Sequence, residues 1–137
     1  MNAEVMNFIE EDRHAILATN GRNGLPQLTP VWYLFEDGVL YVSAQVTTVK
    51  VRNLRRDPAV SVCIDGGRGD ARYVVFGGRA ELIEPGERQK ALRWRIVRHY
   101  FDDEPAAARY YETVKDNVGA IILLRPERVV LSGFANN

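Results

Sequence analysis

The sequence predicts a mainly β fold, an antiparallel barrel of six strands with helices appended. Short runs rich in β-branched and aromatic residues are separated by Asn-Gly and Asp-Gly pairs, which suit the tight turns of β-hairpins. Two later segments lose the two-residue alternation and repeat apolar residues at helical spacing. Strands joined by hairpins, with only a few helices, indicate an antiparallel barrel and not an alternating parallel α/β fold.

The composition bounds the class of protein. The 137 residues suit one domain, residues 1–137, and are 46% apolar and 26% charged, with 18 basic residues balancing 18 acidic ones. This balance is typical of a globular protein, so we expect no nucleic-acid partner. The chain has no signal-peptide pattern and no apolar run near the roughly 20 residues of a membrane span. We therefore expect a cytoplasmic protein with no membrane partner.

The N-terminal half is predicted to form a helix followed by four strands. In "AEVMNFIEEDR" the apolar residues follow i, i+3, i+4 spacing, which indicates a short amphipathic helix. The runs "HAILATN", "LTPVWYLFE", "VLYVSAQ" and "AVSVCID" have strand composition. Turns at Asn23-Gly24 and Asp37-Gly38 join the first three of these runs, which predicts an antiparallel meander.

The C-terminal half is predicted to contain a bent strand, two helices and a final pair of strands. Gly77-Gly78 interrupts the run "ARYVVFGGRAELIE" and indicates a bulge or sharp bend, which would help the sheet to close. The segments "PGERQKALRWRIVRHYF" and "EPAAARYYETVKD" predict two helices that meet near Asp102 and Asp103. "GAIILLRPERVVLSGF" has strand composition again, with Pro126 at a turn between two strands.

A basic segment between the third and fourth strands, "TTVKVRNLRRDPAV", is predicted to form a short helix over residues 47–57. Thr47 or Thr48 is a suitable N-cap, and Pro58 ends the helix. A helix N-terminus offers unpaired backbone N–H groups and a partial positive charge. Two hydroxyls and Lys50 at that end therefore predict a site for a phosphate or a carboxylate.

The remaining arginines of the basic segment have a plainer interpretation. Arg55 and Arg56 lie at the C-terminal end, where cations bond exposed carbonyls and favour the helix dipole, or could pair with Asp57. The sequence assigns no role to Arg52.

The stretch "TPVWYLFEDGVLYVSAQVTTVKVRNLRRDPAVSVCID" resembles the pyridoxamine 5′-phosphate oxidase-like split β-barrel superfamily. It is most similar to the branch of deazaflavin F420-dependent oxidoreductases and FMN-binding relatives. The string K-x-x-N-L-R-R-D-P-x-V-S is the most specific part, and the similarity extends over nearly the whole chain. The resemblance implies a split β-barrel homodimer with cofactor sites in grooves between the subunits.

The resemblance also implies the residues that bind the cofactor. The segment Thr48-Val49-Lys50 matches the Ser/Thr-x-Lys element that holds the cofactor phosphate at the start of the helix. Asn53 would lie on the phosphate side of the groove, and the backbone of residues 29–32 would run beside the flavin ring. The full set of implied cofactor-binding residues is Thr29, Pro30, Val31, Trp32, Ser43, Ala44, Thr47, Thr48, Val49, Lys50 and Asn53.

The likeness is closer to the F420 branch than to the pyridoxamine phosphate oxidases themselves. Those enzymes carry an Arg-x4-Lys pair on the second strand for the FMN phosphate, and the nearest positions here are Leu28 and Tyr33. The resemblance therefore implies a reductase that uses F420 to transfer a hydride to a small conjugated organic substrate. Two alternatives stay open: an FMN-binding protein of the same fold, and a non-catalytic module that binds a flavin or haem-type ligand.

Side chains outside the basic segment give no independent catalytic motif. The chain has His14, His99 and Cys63 but lacks the ligands for a His/Cys zinc site, so we expect no metal and name no catalytic residue. Cys63 lies in an apolar run and is expected to pack as a small buried hydrophobe. Among the aromatic residues only Trp32 has positional support as a site residue, and the others are expected to pack in the core or at an interface. The arginines between residues 88 and 98 are expected to form a solvated helix face or to pair with nearby glutamates.

Overall fold

The computed structural model describes residues 1–11 and 13–135, which contain four helices and eight strands. In chain order these are α1 (Ala3–Glu10), β1 (Ala15–Asn20), β2 (Pro26–Val31), β3 (Tyr33–Glu36), β4 (Val39–Gln45), α2 (Val49–Arg56), β5 (Ala59–Asp65), β6 (Tyr73–Ile83), α3 (Glu87–His99), α4 (Glu104–Val114), β7 (Gly119–Leu124) and β8 (Arg128–Ser132). The mainly β class with appended helices is confirmed.

The strands form one curled antiparallel sheet in the order β2-β1-β5-β6-β7-β4-β3, and β8 pairs with β6 beside this path. Strand β6 joins the two halves of the sheet, since its residues Tyr73–Arg79 pair with β5 and its residues Ala80–Ile83 pair with β7. The change of partner follows Arg79, one residue after Gly78, where an added Cβ would lie 3.1 Å from Leu124 Cδ1. The glycine pair thus lies where the sheet curls over the core.

The described residues form eight strands where six were predicted, and one of the added strands arises because the run "LTPVWYLFE" forms two strands and not one. Val31 ends β2, which pairs with β1, and Tyr33 begins β3, which pairs with β4. Trp32 is the crossing point between the two halves of the sheet. The Asp37-Gly38 turn is confirmed, with φ angles of 53° and 75° in the left-handed region that such turns require.

The main core lies inside the curled sheet and is closed by α1, whose residues Val5, Phe8 and Ile9 are buried. A second cluster lies on the other face of the β3-β4-β7 half, where Leu92 and Ile96 of α3 pack against Ile121. Helices α3 and α4 therefore cover the outside of this half, next to Trp32. No helix among the described residues is long and apolar enough to cross a membrane.

Two packing expectations are corrected. Cys63 is only half-buried, because the alternation of β5 turns Val62 and Ile64 inward and Cys63 outward, and this partial burial raises the pKa of its thiol. Arg93 is 5% exposed and not part of a solvated helix face. Arg95 of the same helix agrees with the expectation, since it forms an ion pair with Glu36 at the surface.

A candidate cofactor cleft at the start of helix α2

A cleft of about 440 Å³ lies where the β2–β3 crossing, the end of β4, the start of α2 and helices α3 and α4 meet. Its lining residues are His14, Pro30, Val31, Trp32, Ser43, Ala44, Gln45, Thr48, Lys50, Arg93, Ile96, Val97, Tyr110, Val114, Asn117 and Gly119. The volume is in the usual range for a site that binds a small molecule.

Helix α2 presents its N-terminus to this cleft. Thr48 is the N-cap residue, and Arg52 is the first residue whose backbone N–H bonds back to the carbonyl of Thr48. The N–H groups of Val49, Lys50 and Val51 have no acceptor in residues 1–11 and 13–135. The Thr48 hydroxyl does not cap them, because it donates to the Gln45 carbonyl at 2.7 Å. The helix start is thus a cluster of free donors at the positive end of the dipole.

Lys50 is the charged group of this cluster. Its Nζ donates to the Thr29 hydroxyl at 3.3 Å, and within the described chain it forms no ion pair with a carboxylate. Burial lowers the pKa of Lys50, because the charged ammonium loses water at this half-buried position. An anion bound at the helix start would replace the missing solvation.

The charged side chains that line the cleft are basic. Lys50 and Arg93 both line it, and its sixteen lining residues include no aspartate and no glutamate. Walls of low dielectric strengthen the field of these cations, so the cleft favours a negatively charged ligand.

Arg93 is a buried cation whose hydrogen bonds are largely satisfied. Its Nη1 and Nη2 donate to the carbonyls of Asn117 and Lys115, both at 2.9 Å, and its Nε donates to the Tyr111 hydroxyl at 3.4 Å. These carbonyls follow the C-terminus of α4, where a positive charge is favourable. Arg93 therefore fixes the turn from α4 to β7, which forms one edge of the cleft.

Aromatic side chains form another part of the cleft wall. The Trp32 ring stacks on Tyr100 with 4.8 Å between centroids, and it contacts Tyr110 at 5.2 Å. Tyr100 is held in turn, because its hydroxyl donates to the Arg13 carbonyl and accepts the Tyr33 N–H. Trp32 and Tyr110 are the two members of this wall that line the cleft.

The predicted cofactor-binding residues divide into two groups. Pro30, Val31, Trp32, Ser43, Ala44, Thr48 and Lys50 all line the cleft, and Thr29 touches it through its bond with Lys50. Thr47 is exposed beside the helix start and does not line the cleft. Residues from three separate segments of the sequence thus meet at one cleft.

Val49 and Asn53 face a second groove, of about 610 Å³, on the other side of α2. The Asn53 side chain is 4% exposed; its Nδ2 donates to the Thr19 hydroxyl at 3.1 Å and its Oδ1 accepts from Arg56 at 3.3 Å. In the structure Asn53 therefore ties α2 to β1. The same groove is lined by Arg52, for which the sequence assigned no role.

The arginines at the C-terminal end of α2 lie outside the cleft, as expected, but their partners differ from the expected helix-end carbonyls and Asp57. Arg55 forms a two-pronged ion pair with Glu84, with both N–O distances at 2.8 Å, and Arg56 donates to the Asn20 carbonyl. Asp57 is engaged by the Asn20 side chain and not by Arg55. These contacts tie the end of α2 to Asn20 at the end of β1 and to Glu84 after β6.

Sequence reasoning missed several residues that line the cleft, among them Arg93, Tyr110, Asn117 and His14. One signal for Tyr110 was present, since Tyr110 and Val114 are one helical turn apart and both line the cleft. No local signal pointed to Arg93, whose partners follow it by more than twenty residues.

Comparisons with known proteins agree with this architecture. A conserved hypothetical protein from Mycobacterium tuberculosis is 27% identical, with a TM-score of 0.78 over 96% of this chain and 83% of that one. An F420 reductase is 22% identical, with a TM-score of 0.71 over 90% of this chain and 94% of that one. A heme binding protein from Mycobacterium smegmatis is 24% identical, with a TM-score of 0.73 over 98% of this chain and 54% of that one. The latter two likenesses show the fold.

The sequence profile of the pyridoxamine 5′-phosphate oxidase family matches residues 1–131, which is nearly the whole chain. The curled antiparallel sheet and the position of α2 agree with the split-barrel fold of that group. On this evidence the chain belongs to the pyridoxamine 5′-phosphate oxidase family.

Proposed function

We propose that this protein is an F420-dependent reductase that transfers a hydride to a small conjugated organic substrate. The observation that carries the proposal is the half-buried Lys50, which forms no ion pair with a carboxylate in residues 1–11 and 13–135. Lys50 lies next to free N–H groups at the start of α2, in a cleft whose sixteen described lining residues include no aspartate and no glutamate. Such a donor set binds a phosphate group well.

The residues present fit a deazaflavin cofactor. Lys50 and the backbone of α2 would hold its phosphate, and Pro30, Val31 and Trp32 would flank its ring from the β2–β3 crossing. When reduced, the cofactor supplies a hydride from a ring carbon. The protein then has to orient the acceptor and exclude water, and the apolar residues Ile96 and Val97 of α3 are placed to do so.

Two positions support F420 over FMN. Tyr33, which stands where the pyridoxamine phosphate oxidases have the lysine of their FMN-phosphate pair, is 4% exposed and donates its hydroxyl proton to the Ile9 carbonyl in the core. Leu28, at the arginine position, carries no charge and is 61% exposed. The Arg-x4-Lys pair that binds the FMN phosphate in the pyridoxamine phosphate oxidases therefore has no counterpart at Leu28 and Tyr33. The similar F420 reductase has the same fold as this chain.

We propose a homodimer as the working form. The outward face of the half of the sheet that contains β1 and β2 carries exposed or half-buried apolar residues, such as Leu28 of β2, Ile16 of β1 and Val130 of β8. A second copy packed on this face would bury these residues. Light scattering in solution checks the proposal, with twice the mass of the 15.5 kDa chain as the expected result.

Parallel titrations with F420 and FMN test the cofactor. The purified protein is titrated into each ligand while the ligand's fluorescence is followed, and the absorbance of the untreated protein is recorded. Saturable quenching or a shift with F420 at lower protein concentration than with FMN supports the proposal. A yellow protein that retains FMN through purification would contradict it and favour the FMN alternative.

The non-catalytic alternative is supported by the fold that this chain shares with a heme binding protein. It is separated from the reductase by turnover: reduced F420 is mixed with the protein and a panel of conjugated ketones and quinones, and loss of reduced cofactor is followed. Tight binding of cofactor with no turnover of any acceptor would favour a carrier.

A further inference from the structure

The tyrosines around the aromatic wall differ in what their hydroxyl groups bond. The hydroxyls of Tyr33, Tyr100 and Tyr111 donate to backbone carbonyls at 2.6, 3.0 and 3.4 Å respectively. The Tyr110 hydroxyl has no hydrogen-bond partner anywhere in residues 1–11 and 13–135, although its residue lines the cleft. It is the phenol of this group that a ligand can use.

The Tyr110 ring is held in place while its hydroxyl is not engaged. Trp32 contacts the ring with 5.2 Å between centroids, and Phe101 contacts it with 5.5 Å between centroids. Trp32 is itself stacked against Tyr100. Tyr110 therefore presents a fixed aromatic surface and a free hydrogen-bond donor to whatever occupies the cleft.

A hydride reduction also consumes a proton, and the cleft offers few donors for it. None of its sixteen described lining residues is an aspartate or a glutamate. Lys50 is placed at the phosphate end, where its Nζ already contacts Thr29. His14 and Tyr110 are both partly open to solvent, and they differ in position: His14 lies before β1, whereas Tyr110 contacts Trp32 at the crossing that would flank the cofactor ring.

We propose that Tyr110 binds the carbonyl oxygen of a flat conjugated ketone and donates the proton that completes its reduction; this rests on the proposed function. The β carbon of the ketone gains a hydride from the reduced deazaflavin, and the electron pair of the C=C bond moves toward the carbonyl oxygen. That oxygen takes the phenol proton and becomes an enol, which tautomerises to the saturated ketone. The phenolate regains a proton from water. The ketone is reduced by two electrons and the cofactor is oxidised by the same two.

The test compares Tyr110→Phe with Tyr111→Phe, using reduced F420 and cyclohex-2-enone. Tyr110→Phe keeps the ring that contacts Trp32 and removes only the free hydroxyl. Loss of a general acid typically lowers a rate by about 100-fold or more, so we expect kcat to fall by about that factor while F420 affinity is unchanged. Tyr111→Phe, which alters a hydroxyl outside the cleft, should keep kcat within about threefold of the wild-type value, as expected for a hydroxyl with only long, weak bonds.

A spectroscopic readout separates hydrogen bonding from a merely structural role. The infrared carbonyl stretch of carbonyl-labelled cyclohex-2-enone is recorded on protein loaded with oxidised F420. A lowered frequency in the wild type that returns toward the free value in Tyr110→Phe is expected from loss of the phenol donor. An identical frequency in both proteins would overturn the assignment.

Three further outcomes test the role of Tyr110, the class of acceptor and the proposed function separately. A wild-type kcat in Tyr110→Phe, or a large loss in His14→Gln without one in Tyr110→Phe, overturns the role of Tyr110. Wild-type protein that binds F420 but reduces no cyclohex-2-enone contradicts the acceptor class alone. Wild-type protein that binds no F420 contradicts the proposed function itself.

Discussion

Lys50 and Arg93 are two cations on the same cleft, and their hydrogen-bond partners differ. Arg93 is more deeply buried, yet it donates to the carbonyls of Asn117 and Lys115 and to the Tyr111 hydroxyl. Among the described residues, the Lys50 ammonium has one hydrogen-bond partner, the neutral Thr29 hydroxyl at 3.3 Å. Burial of a charge is costly unless hydrogen bonds or an opposite charge compensate it.

The difference assigns each cation a role. Arg93 is compensated by the protein, so its charge stabilises the turn that edges the cleft. Lys50 is left with a cost that an anionic ligand would remove, and it stands beside the free N–H groups of α2. Substitution of Arg93 should therefore affect folding first, and substitution of Lys50 should affect binding first.

The largest expected effect is on the stability of Arg93→Ala. Hydrogen bonds to a charged group contribute about 1.5–3 kcal/mol each, and this variant removes the donor from two carbonyls at the end of α4. We expect the free energy of unfolding to fall by about 3 kcal/mol or more, measured by denaturant melts. Arg88→Ala, at an exposed position of the same helix, is the matched control. Equal stability of the two variants would mean that Arg93 does not hold this turn.

The pH dependence of cofactor binding should depend on the protonation of Lys50. Because burial lowers the pKa of Lys50, its charged form carries a cost in the folded protein that disappears as pH rises through that pKa. A bound phosphate favours the charged form, so F420 affinity should fall as pH rises through the same range. Lys50→Arg keeps its charge there, since the guanidinium pKa is about 12 or higher, and its affinity should vary less. Parallel pH profiles for the two proteins would argue against a role for Lys50 charge.

The smallest expected effect concerns Arg55, at the opposite end of α2. Its hydrogen bond lowers the pKa of Glu84, but both side chains are largely exposed and solvent screens the pair. Arg55→Ala should leave F420 affinity unchanged and shift the thermal melt slightly at low salt. The shift should vanish at high salt, where exposed charges are screened. A clear loss of F420 binding would show that the anion site extends beyond the start of α2.

Local features of the fold could be predicted from the sequence because neighbouring residues determine them. Thr48 and Pro58 bound helix α2, and the Asp37-Gly38 turn adopts the left-handed backbone that its residues favour. The break at Trp32 was not predictable, since β2 and β3 differ in their partner strands and not in their composition. One of the two strands beyond the predicted six follows from that change of partner strand.

The candidate site shows the same division. Lys50 and Thr48 could be predicted because a helix start with a cation is a local pattern, and both residues line the cleft. Arg93 was expected to be solvated because its sequence neighbours are charged. Its burial was not predictable, since its carbonyl partners come from the turn after α4, more than twenty residues later. Tyr110 was assigned to packing, because the absence of a partner for its hydroxyl is visible only once α4 lies against the β2–β3 crossing.

The affinity of Lys50→Ala for F420 tests the central claim most directly, with Lys90→Ala, an exposed lysine on α3, as the control. A charge-assisted hydrogen bond to phosphate contributes about 1.5–3 kcal/mol, so fluorescence titration should show about a 10- to 150-fold weaker Kd for Lys50→Ala. Its thermal melt should not fall below that of the wild type, because the substitution removes an uncompensated charge. The Lys90→Ala protein should bind as the wild type does. Equal affinity of Lys50→Ala and wild-type protein would contradict the account and place the phosphate elsewhere.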